Sequence, residues 1–259
     1  YASTDIGTAQ KSISLARYLL ATNGQSLPGI QTWQYNHPLP YEDGISEDVY
    51  HELFVRIGEN ESLQQSFFKC RCDELTSTDA LAYDSTTVST YSENQNEARY
   101  GYNKAFDGLK TIKFLTLYSI ETRQPVAFTK QPGNLPDVTS IESAIKQLTA
   151  LGVKTTEVVT DNGYYSEKNL SSLLQAGFDF ITLASNDIKW IRSEIYEHLD
   201  EFTDIRTVCP FDPSKHGISV KVMHTFEKTR KYANHKSGAE KGATETFSRR
   251  IYLNIFFNA

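Results

Sequence analysis

The stretch at residues 157–170, EVVTDNGYYSEKNL, predicts a strand that ends in an aspartate and is followed by a turn and a helix. The β-branched residues 158–160 favour a strand, and Gly163 can adopt the positive φ that many turns require. Ser166 is a good N-cap for the helix that follows. Asp161 is therefore expected at the carboxyl end of a strand, where open α/β sheets bind their ligands. The alternative is that Asp161 only opens an Asx-turn.

The elements before and after this stretch predict an α/β fold with a mixed sheet. Strands that alternate with helices indicate parallel pairing through right-handed crossovers, whereas the first three strands follow one another as a meander. The order is therefore β-β-β-α-β-α-β. Periodicity and turn residues predict strands at 81–91, 112–120, 125–129, 157–160 and 180–184, and helices at 138–148 and from 166.

The regions on either side of this core have a different character. Amphipathic helices are predicted at 8–22 and 46–58, with a short one at 61–69, and alternating apolar residues predict strands at 219–226 and 247–257. The two ends, Tyr1 and the apolar run IYLNIFFNA, are interpreted as cuts through a longer protein. The predicted domains are a helical region at 1–78, a core at 79–186 and a β-rich region at 187–259 that is cut at its C-terminal end.

Composition excludes some classes of protein. No run of eighteen apolar residues is present, which argues against a membrane span. Three cysteines in a chain of 259 residues predict reduced thiols and a cytoplasmic location. The net charge is −6, but residues 215–250 contain nine lysines and arginines against three acidic residues. This asymmetry indicates either a basic binding face or a solvated loop.

Four motifs resemble the DDE transposases of bacterial insertion sequences, which have an RNase H-like catalytic domain. They are LAYDSTTVS around Asp84, GYNKAFDGLKTIKFLTLYSIETRQPVAF, the PGNLPD turn, and VVTDNGYYSEKNL around Asp161. The motifs occur in the family's order over residues 80–185. The helical region before them and the β-rich region after them match the family in layout, since its members carry a β-rich insertion before the last helix.

The resemblance implies a catalytic and metal-binding role for Asp84 and Asp161. It places the first of these acids in the first strand and the second at the end of the fourth strand, with the two strands adjacent. The implied cofactor is Mg²⁺, for which Mn²⁺ substitutes, because carboxylate oxygens are hard ligands. Two such ions can promote in-line displacement at phosphorus. The implied reaction is cleavage of double-stranded DNA at element ends, followed by strand transfer into target DNA; a homodimer is compatible with the sequence.

The third acid of the family is not found by its motif. The family carries a glutamate in a Tyr-Arg-Glu-Lys pattern after the insertion, and no such pattern occurs before Ala259. Glu197 and Glu194 are local substitutes by spacing, but they precede the predicted strands of the insertion. The chain is therefore interpreted as a truncated transposase with two of three carboxylates, or alternatively as a non-catalytic DNA-binding remnant. A haloacid dehalogenase-type phosphatase would need an aspartate where Thr86 stands.

Other residues receive roles from the resemblance. Tyr164 and Tyr165 are expected to pack beside the strand end, with contact to the scissile phosphate as the alternative. Asn134 and Asp137 are expected to cap the turn after the third strand. Phosphate contacts, which weaken as salt rises, are expected from the insertion residues Lys221, Lys228, Arg230, Lys231, Lys236 and Lys241.

Overall fold

The computed structural model describes residues 3–76, 78–103, 105–153, 157–229 and 242–258. The chain divides into two compact units, residues 1–76 and residues 77–259. No helix in the described ranges combines the length and the apolar character that crossing a membrane requires.

The first unit is helical, as predicted. Its core is a cluster of buried aliphatic and aromatic side chains, namely Leu15, Tyr18, Ile30, Leu39, Ile45 and Leu53. Ser46 caps the third helix, as its position before an acidic first turn predicts. The helices are α1 (Ile6–Ala21), α2 (Ile30–Gln34), α3 (Glu47–Glu59) and α4 (Glu61–Asp73).

Asp5 makes the stability of this unit dependent on pH. Its carboxylate accepts the backbone N–H of Thr8 at 3.0 Å and contacts the Arg56 guanidinium at 2.9 Å. The Thr8 hydrogen bond, followed by smaller effects that include the Arg56 charge, lowers the pKa of Asp5 from 3.8 to about 2. Because the folded-state pKa is depressed, this stabilisation is present above pH 4 and is lost as the pH falls through about 2.

Asp5→Ala is expected to lower the melting temperature of the helical unit at pH 7, because the N-cap acceptor and the ion pair are both removed. The difference from the unchanged chain should vanish once the pH falls below about 2. Thermal unfolding followed by circular dichroism at several pH values measures this. Asp43→Ala, in the exposed loop before α3, removes the same charge without a cap and is the control. If the melting temperature of Asp5→Ala lies below that of the unchanged chain by the same amount at every pH, the prediction is contradicted.

The second unit contains a five-stranded mixed sheet with the predicted RNase H-like arrangement. Its strand order is β3-β2-β1-β4-β5. The strand β2 pairs antiparallel with both β1 and β3, whereas β4 pairs parallel with both β1 and β5. The predicted order β-β-β-α-β-α-β is therefore confirmed. The strands are β1 (Ala80–Thr90), β2 (Lys110–Ser119), β3 (Gln124–Pro132), β4 (Glu157–Thr160) and β5 (Asp179–Thr182).

Helices α5 (Ile141–Ala150) and α6 (Glu167–Ala176) form the two crossovers, and α7 (Lys189–Glu197) follows β5. One face of the sheet is buried: on β1, Leu81 and Tyr83 are at most 3% exposed, and the Tyr83 hydroxyl donates to the Ser140 carbonyl at the start of α5. Side chains alternate along a strand. Residues that alternate with Leu81 and Tyr83 therefore point to the opposite, more open face.

The start of α5 differs from the prediction. A 3₁₀ turn covers Asp137–Thr139, and the α-helix begins at Ile141 without a side-chain cap. The expectation that Asp137 caps this segment was wrong. Its carboxylate instead accepts from Lys113 and Ser85, so it is not available to the helix start.

The β-rich region forms a second sheet of β6 (Val208–Cys209), β7 (Asp212–Thr229) and β8 (Thr244–Asn258). Strands β7 and β8 pair antiparallel from Lys215↔Asn258 to Thr229↔Thr244, so both are longer than predicted. This hairpin packs on α6, where the Ser171 hydroxyl donates to the Glu227 carbonyl at 2.5 Å.

Candidate active site

The register of two parallel strands brings Asp84 and Asp161 to the same level. Ala82 on β1 pairs with Val159 on β4, and each aspartate lies two residues further along its strand direction. Neighbouring strands lie about 4.8 Å apart. Two residues separated by 77 positions in sequence are therefore neighbours in the middle of the sheet.

Both carboxylates lie on the open face. Asp84 and Asp161 are exposed, whereas the residues that alternate with them, such as Tyr83 and Thr160, are buried. The two side chains border one depression with a volume of about 380 Å³. Its remaining lining includes the apolar side chains Ala82, Val159, Ile181 and Leu183.

A backbone N–H holds one oxygen of each carboxylate. Asp161 Oδ1 accepts from Gly163 at 2.9 Å and opens the 3₁₀ turn Asn162–Tyr164, so the Asx-turn considered for the sequence is present. Asp84 Oδ1 accepts from Ser85 at 2.7 Å. Within the described part of the chain, neither Oδ2 atom receives a hydrogen bond. Asp161 can therefore open an Asx-turn and also bind a ligand, because the turn uses Oδ1 and leaves Oδ2 available for a ligand.

Two buried tyrosines lie behind the pair. The rings of Tyr83 and Tyr164 are 5.2 Å apart, and both residues are at most 3% exposed. Burial raises the pKa of Tyr83 to about 12 and raises the pKa of the Tyr164 phenol well above its ordinary value. Both phenols are therefore neutral at physiological pH. Tyr164 packs in the core, and Tyr165 donates from its hydroxyl to Glu167.

Carboxylate oxygens are the ligands that a hard divalent cation prefers. The site provides two carboxylates, those of Asp84 and Asp161. Among the residues that the structure describes, no group of three or more histidine, cysteine or acidic side chains could hold a metal ion. Glu194 and Glu197 lie on α7, where Glu194 is 4.0 Å from His198 Nε2. Neither glutamate forms a group of three acids with Asp84 and Asp161, all of which are described residues.

A family model, the transposase DDE domain, matches residues 76–244, which is more than half of the chain. The chain belongs to the DDE transposase family. No curated protein sequence matches it significantly.

Three solved transposase structures are similar at low identity. The piggyBac transposase synaptic complex with hairpin DNA has 12% identity and a TM-score of 0.45, over 83% of this chain and 49% of that one. The Drosophila P element transposase strand transfer complex has 13% identity and a TM-score of 0.35, over 73% and 44%. The Mos1 transposase paired-end complex with left transposon end has 10% identity and a TM-score of 0.30, over 71% and 64%. At these TM-scores the similarity supports no statement about function.

This chain spans about half the length of the piggyBac transposase chain and less than two thirds of the other two.

Of the six basic residues predicted to contact DNA, the structure describes two. Lys221 is exposed on β7 opposite Tyr252 of β8. Lys228 is paired with Glu245 at 3.4 Å. The remaining four, Arg230, Lys231, Lys236 and Lys241, lie outside the described residues.

A buried charge that was not predicted from the sequence lies on the buried face of the sheet, opposite the face of Asp84. Lys113 of β2 is 8% exposed in its side chain and donates from Nζ to the Asp137 carboxylate and to the Leu135 carbonyl, both at 2.6 Å. The signal was a lysine within a strand made mostly of apolar and hydroxyl-bearing residues. Such a lysine requires a partner, since an unpaired buried charge is strongly unfavourable.

Proposed function

We propose that this chain carries the metal-binding acids of a DNA transposase, which cleaves phosphodiester bonds at element ends and transfers the strands to target DNA. The observation that carries the proposal is the position of Asp84 and Asp161, level with each other on adjacent parallel strands and bordering one depression. Membership of the DDE transposase family supports the reaction class.

Asp84 and Asp161 are the residues that would hold the cation, since carboxylate oxygens suit Mg²⁺ and Mn²⁺. When bound, the cation supplies electrostatic stabilisation to the phosphate undergoing in-line displacement. The apolar side chains at the depression, Ile181 and Leu183, are 54% and 67% exposed. The two carboxylates are therefore open to solvent and accessible to a phosphate group.

A Mn²⁺ titration of the chain, followed by electron paramagnetic resonance, tests this proposal. Saturable binding that Mg²⁺ displaces is the expected result, because both ions take the same oxygen ligands. If the folded chain binds no Mn²⁺, the proposed site is wrong.

DNA binding without cleavage is the second candidate function. The described residues provide two acids rather than three, which favours a chain that holds DNA but does not cut it. Incubation with supercoiled DNA and Mn²⁺ distinguishes the two. Nicking that chelation of the metal abolishes supports cleavage, and DNA binding without nicking supports the second candidate.

The proposed partner is double-stranded DNA, contacted by an exposed face of the β7–β8 hairpin. Lys221 pairs across the strands with Tyr252, and Arg250 lies on the same face with its guanidinium 5.8 Å from the Tyr252 ring. Two exposed cations beside an aromatic ring suit contact with a phosphate backbone. A cytoplasmic location and a homodimer stay predictions.

Lys221→Ala is expected to weaken binding to duplex DNA of any sequence. Loss of one phosphate contact should reduce the slope of log affinity against log salt concentration by about 1. Fluorescence anisotropy at several salt concentrations measures the slope. Lys146→Ala is the control, since Lys146 is exposed on α5, away from the hairpin. An unchanged slope in Lys221→Ala would remove this residue from the interface.

A further inference from the structure

A network of polar side chains on the buried face of the sheet lies directly behind the two aspartates. It begins at the Lys113 ammonium, which binds the turn that follows β3 through Leu135 and Asp137. A buried ammonium must keep its carboxylate partner, because separation would leave a desolvated charge. The turn around Asp137 is therefore fixed to strand β2.

Asp137 also reaches the residue next to Asp84. Its Oδ1 accepts the hydroxyl of Ser85 at 2.8 Å. Adjacent residues on a strand point to opposite faces. Since Ser85 is held on the buried face, Asp84 is directed to the open face, where it borders the depression.

Asn169 connects the same turn to the segment that carries Asp161. Its side-chain amide is buried, and Nδ2 donates to the carbonyls of Val138 and Tyr164, each at 2.8 Å. Val138 follows Asp137, and Tyr164 belongs to the turn that the Asp161 carboxylate opens. One amide thus joins the turn bound to β1 and β2 with the turn at the end of β4.

The Asp137 carboxylate also faces the turn that follows Asp161. A Cβ added at Gly163 would be in ordinary contact with Asp137 Oδ2, at 3.8 Å. The carboxylate and the turn are therefore separated by about the width of one methyl group.

We propose that Asp137 and Asn169 are positioning residues that set the separation of the Asp84 and Asp161 carboxylates and thereby the affinity of the site for a divalent cation. Neither residue binds the cation in this proposal. Asp137 acts through Ser85 on Asp84, and Asn169 acts through the Tyr164 carbonyl on Asp161. The inference rests on the proposed function, since it concerns the same pair of carboxylates.

Asn169→Ala is expected to weaken Mn²⁺ binding by about 10–100-fold, the usual loss when a residue that orients a metal ligand is removed. The measurement is Mn²⁺ affinity by electron paramagnetic resonance, at a temperature where circular dichroism shows the variant to be folded. Ser171→Ala is the matched control. Ser171 lies on the same helix, is 2% exposed and donates to a backbone carbonyl, but its partner is Glu227 of the hairpin.

A purely structural role for Asn169 would lower the melting temperature in both variants and leave the Mn²⁺ affinity of both unchanged. Ser85→Ala provides a milder second variant in case Asn169→Ala does not fold. It removes the hydroxyl that joins Asp137 to β1, and we expect Mn²⁺ affinity to fall by about threefold to tenfold, the range of one ordinary hydrogen bond.

The outcomes separate this inference from the proposed function. Suppose that the unchanged chain binds Mn²⁺ and that Asn169→Ala, or Ser85→Ala in its place, binds Mn²⁺ with the same affinity. The positioning role is then wrong, and the proposed metal site stands. If the unchanged chain binds no Mn²⁺, the proposed function fails and the inference fails with it. Weaker binding in Asn169→Ala with normal binding in Ser171→Ala supports the positioning role.

Discussion

Asp84→Asn and Asp161→Asn are each expected to reduce the affinity of the chain for Mn²⁺ by roughly 100-fold or more. Each substitution removes one of two negative charges that border the same depression. A carboxylate a few ångströms from a divalent cation contributes several kcal/mol even at an effective dielectric of about 20, and about 1.4 kcal/mol corresponds to tenfold in affinity. DNA cleavage that depends on the metal should fall in parallel.

Asparagine is the right replacement because it preserves the local structure. Its amide oxygen can still accept from the Gly163 N–H in the turn that Asp161 opens, or from the Ser85 N–H beside Asp84. Both variants should therefore unfold at nearly the same temperature as the unchanged chain. Asp161→Ala, by contrast, removes the acceptor of the turn and should lose stability as well as metal affinity.

Asp179→Asn controls for the loss of a charge as such. Asp179 is exposed at the start of β5. Asp179 pairs with Glu157, four residues before Asp161, so it lies roughly 13 Å from the level of Asp161 along the strand direction. This separation exceeds the Debye length of about 10 Å at 0.1 M salt, so the charge of Asp179 is largely screened from the site. Its Mn²⁺ affinity should match that of the unchanged chain. Equal losses in all three variants would show that net charge, rather than the Asp84 and Asp161 pair, governs binding.

Gly133→Ala is expected to destabilise the second unit by about 3 kcal/mol or more, the upper end of overpacking effects. A Cβ at this position would lie 2.2 Å from the carbonyl oxygen of Thr111 and 2.2 Å from its hydroxyl. Thr111 is completely buried, and its backbone forms a bridge with Arg99. The obstacle is therefore backbone that is already paired on β2.

For a unit of this size, a loss of that magnitude corresponds to a fall in melting temperature of roughly 6–12 °C. Differential scanning calorimetry measures it. Gly58→Ala is the control, since a Cβ at Gly58 meets nothing within 4 Å, and alanine in a helix should stabilise by about 0.5–1 kcal/mol. A Gly133→Ala variant that melts like the unchanged chain would show that the two segments separate easily.

Most of the secondary structure could be predicted because its signals are local. Ser166 caps α6 through the Asn169 N–H, as predicted, and Gly177 ends the helix at φ +86°, which glycine adopts readily. The alternation of strands and helices then limited the arrangement to a sheet with parallel crossovers. The domain boundaries within residues 77–259 stay a prediction.

The site could be predicted only in part. Strand positions placed Asp84 inside the first strand and Asp161 at the end of the fourth, and the resemblance to DDE transposases implied that these strands are neighbours. The contacts of Asp137 and Asn169 were not predictable. Asp137 was expected to cap the turn after the third strand, because nothing in the surrounding sequence shows that a lysine 24 positions earlier faces it.

The sequence by itself determined the elements, their order and the two acids, since caps, periodicity and β-branched runs act over a few neighbouring residues. Only the tertiary structure decided that Ala82 pairs with Val159, that Lys113 turns inward to Asp137, and that Gly133 packs against Thr111. The physical reason is that register, charge pairing and close packing join residues that are distant along the chain. The energies of these interactions depend on a local environment that exists only once the sheet has formed.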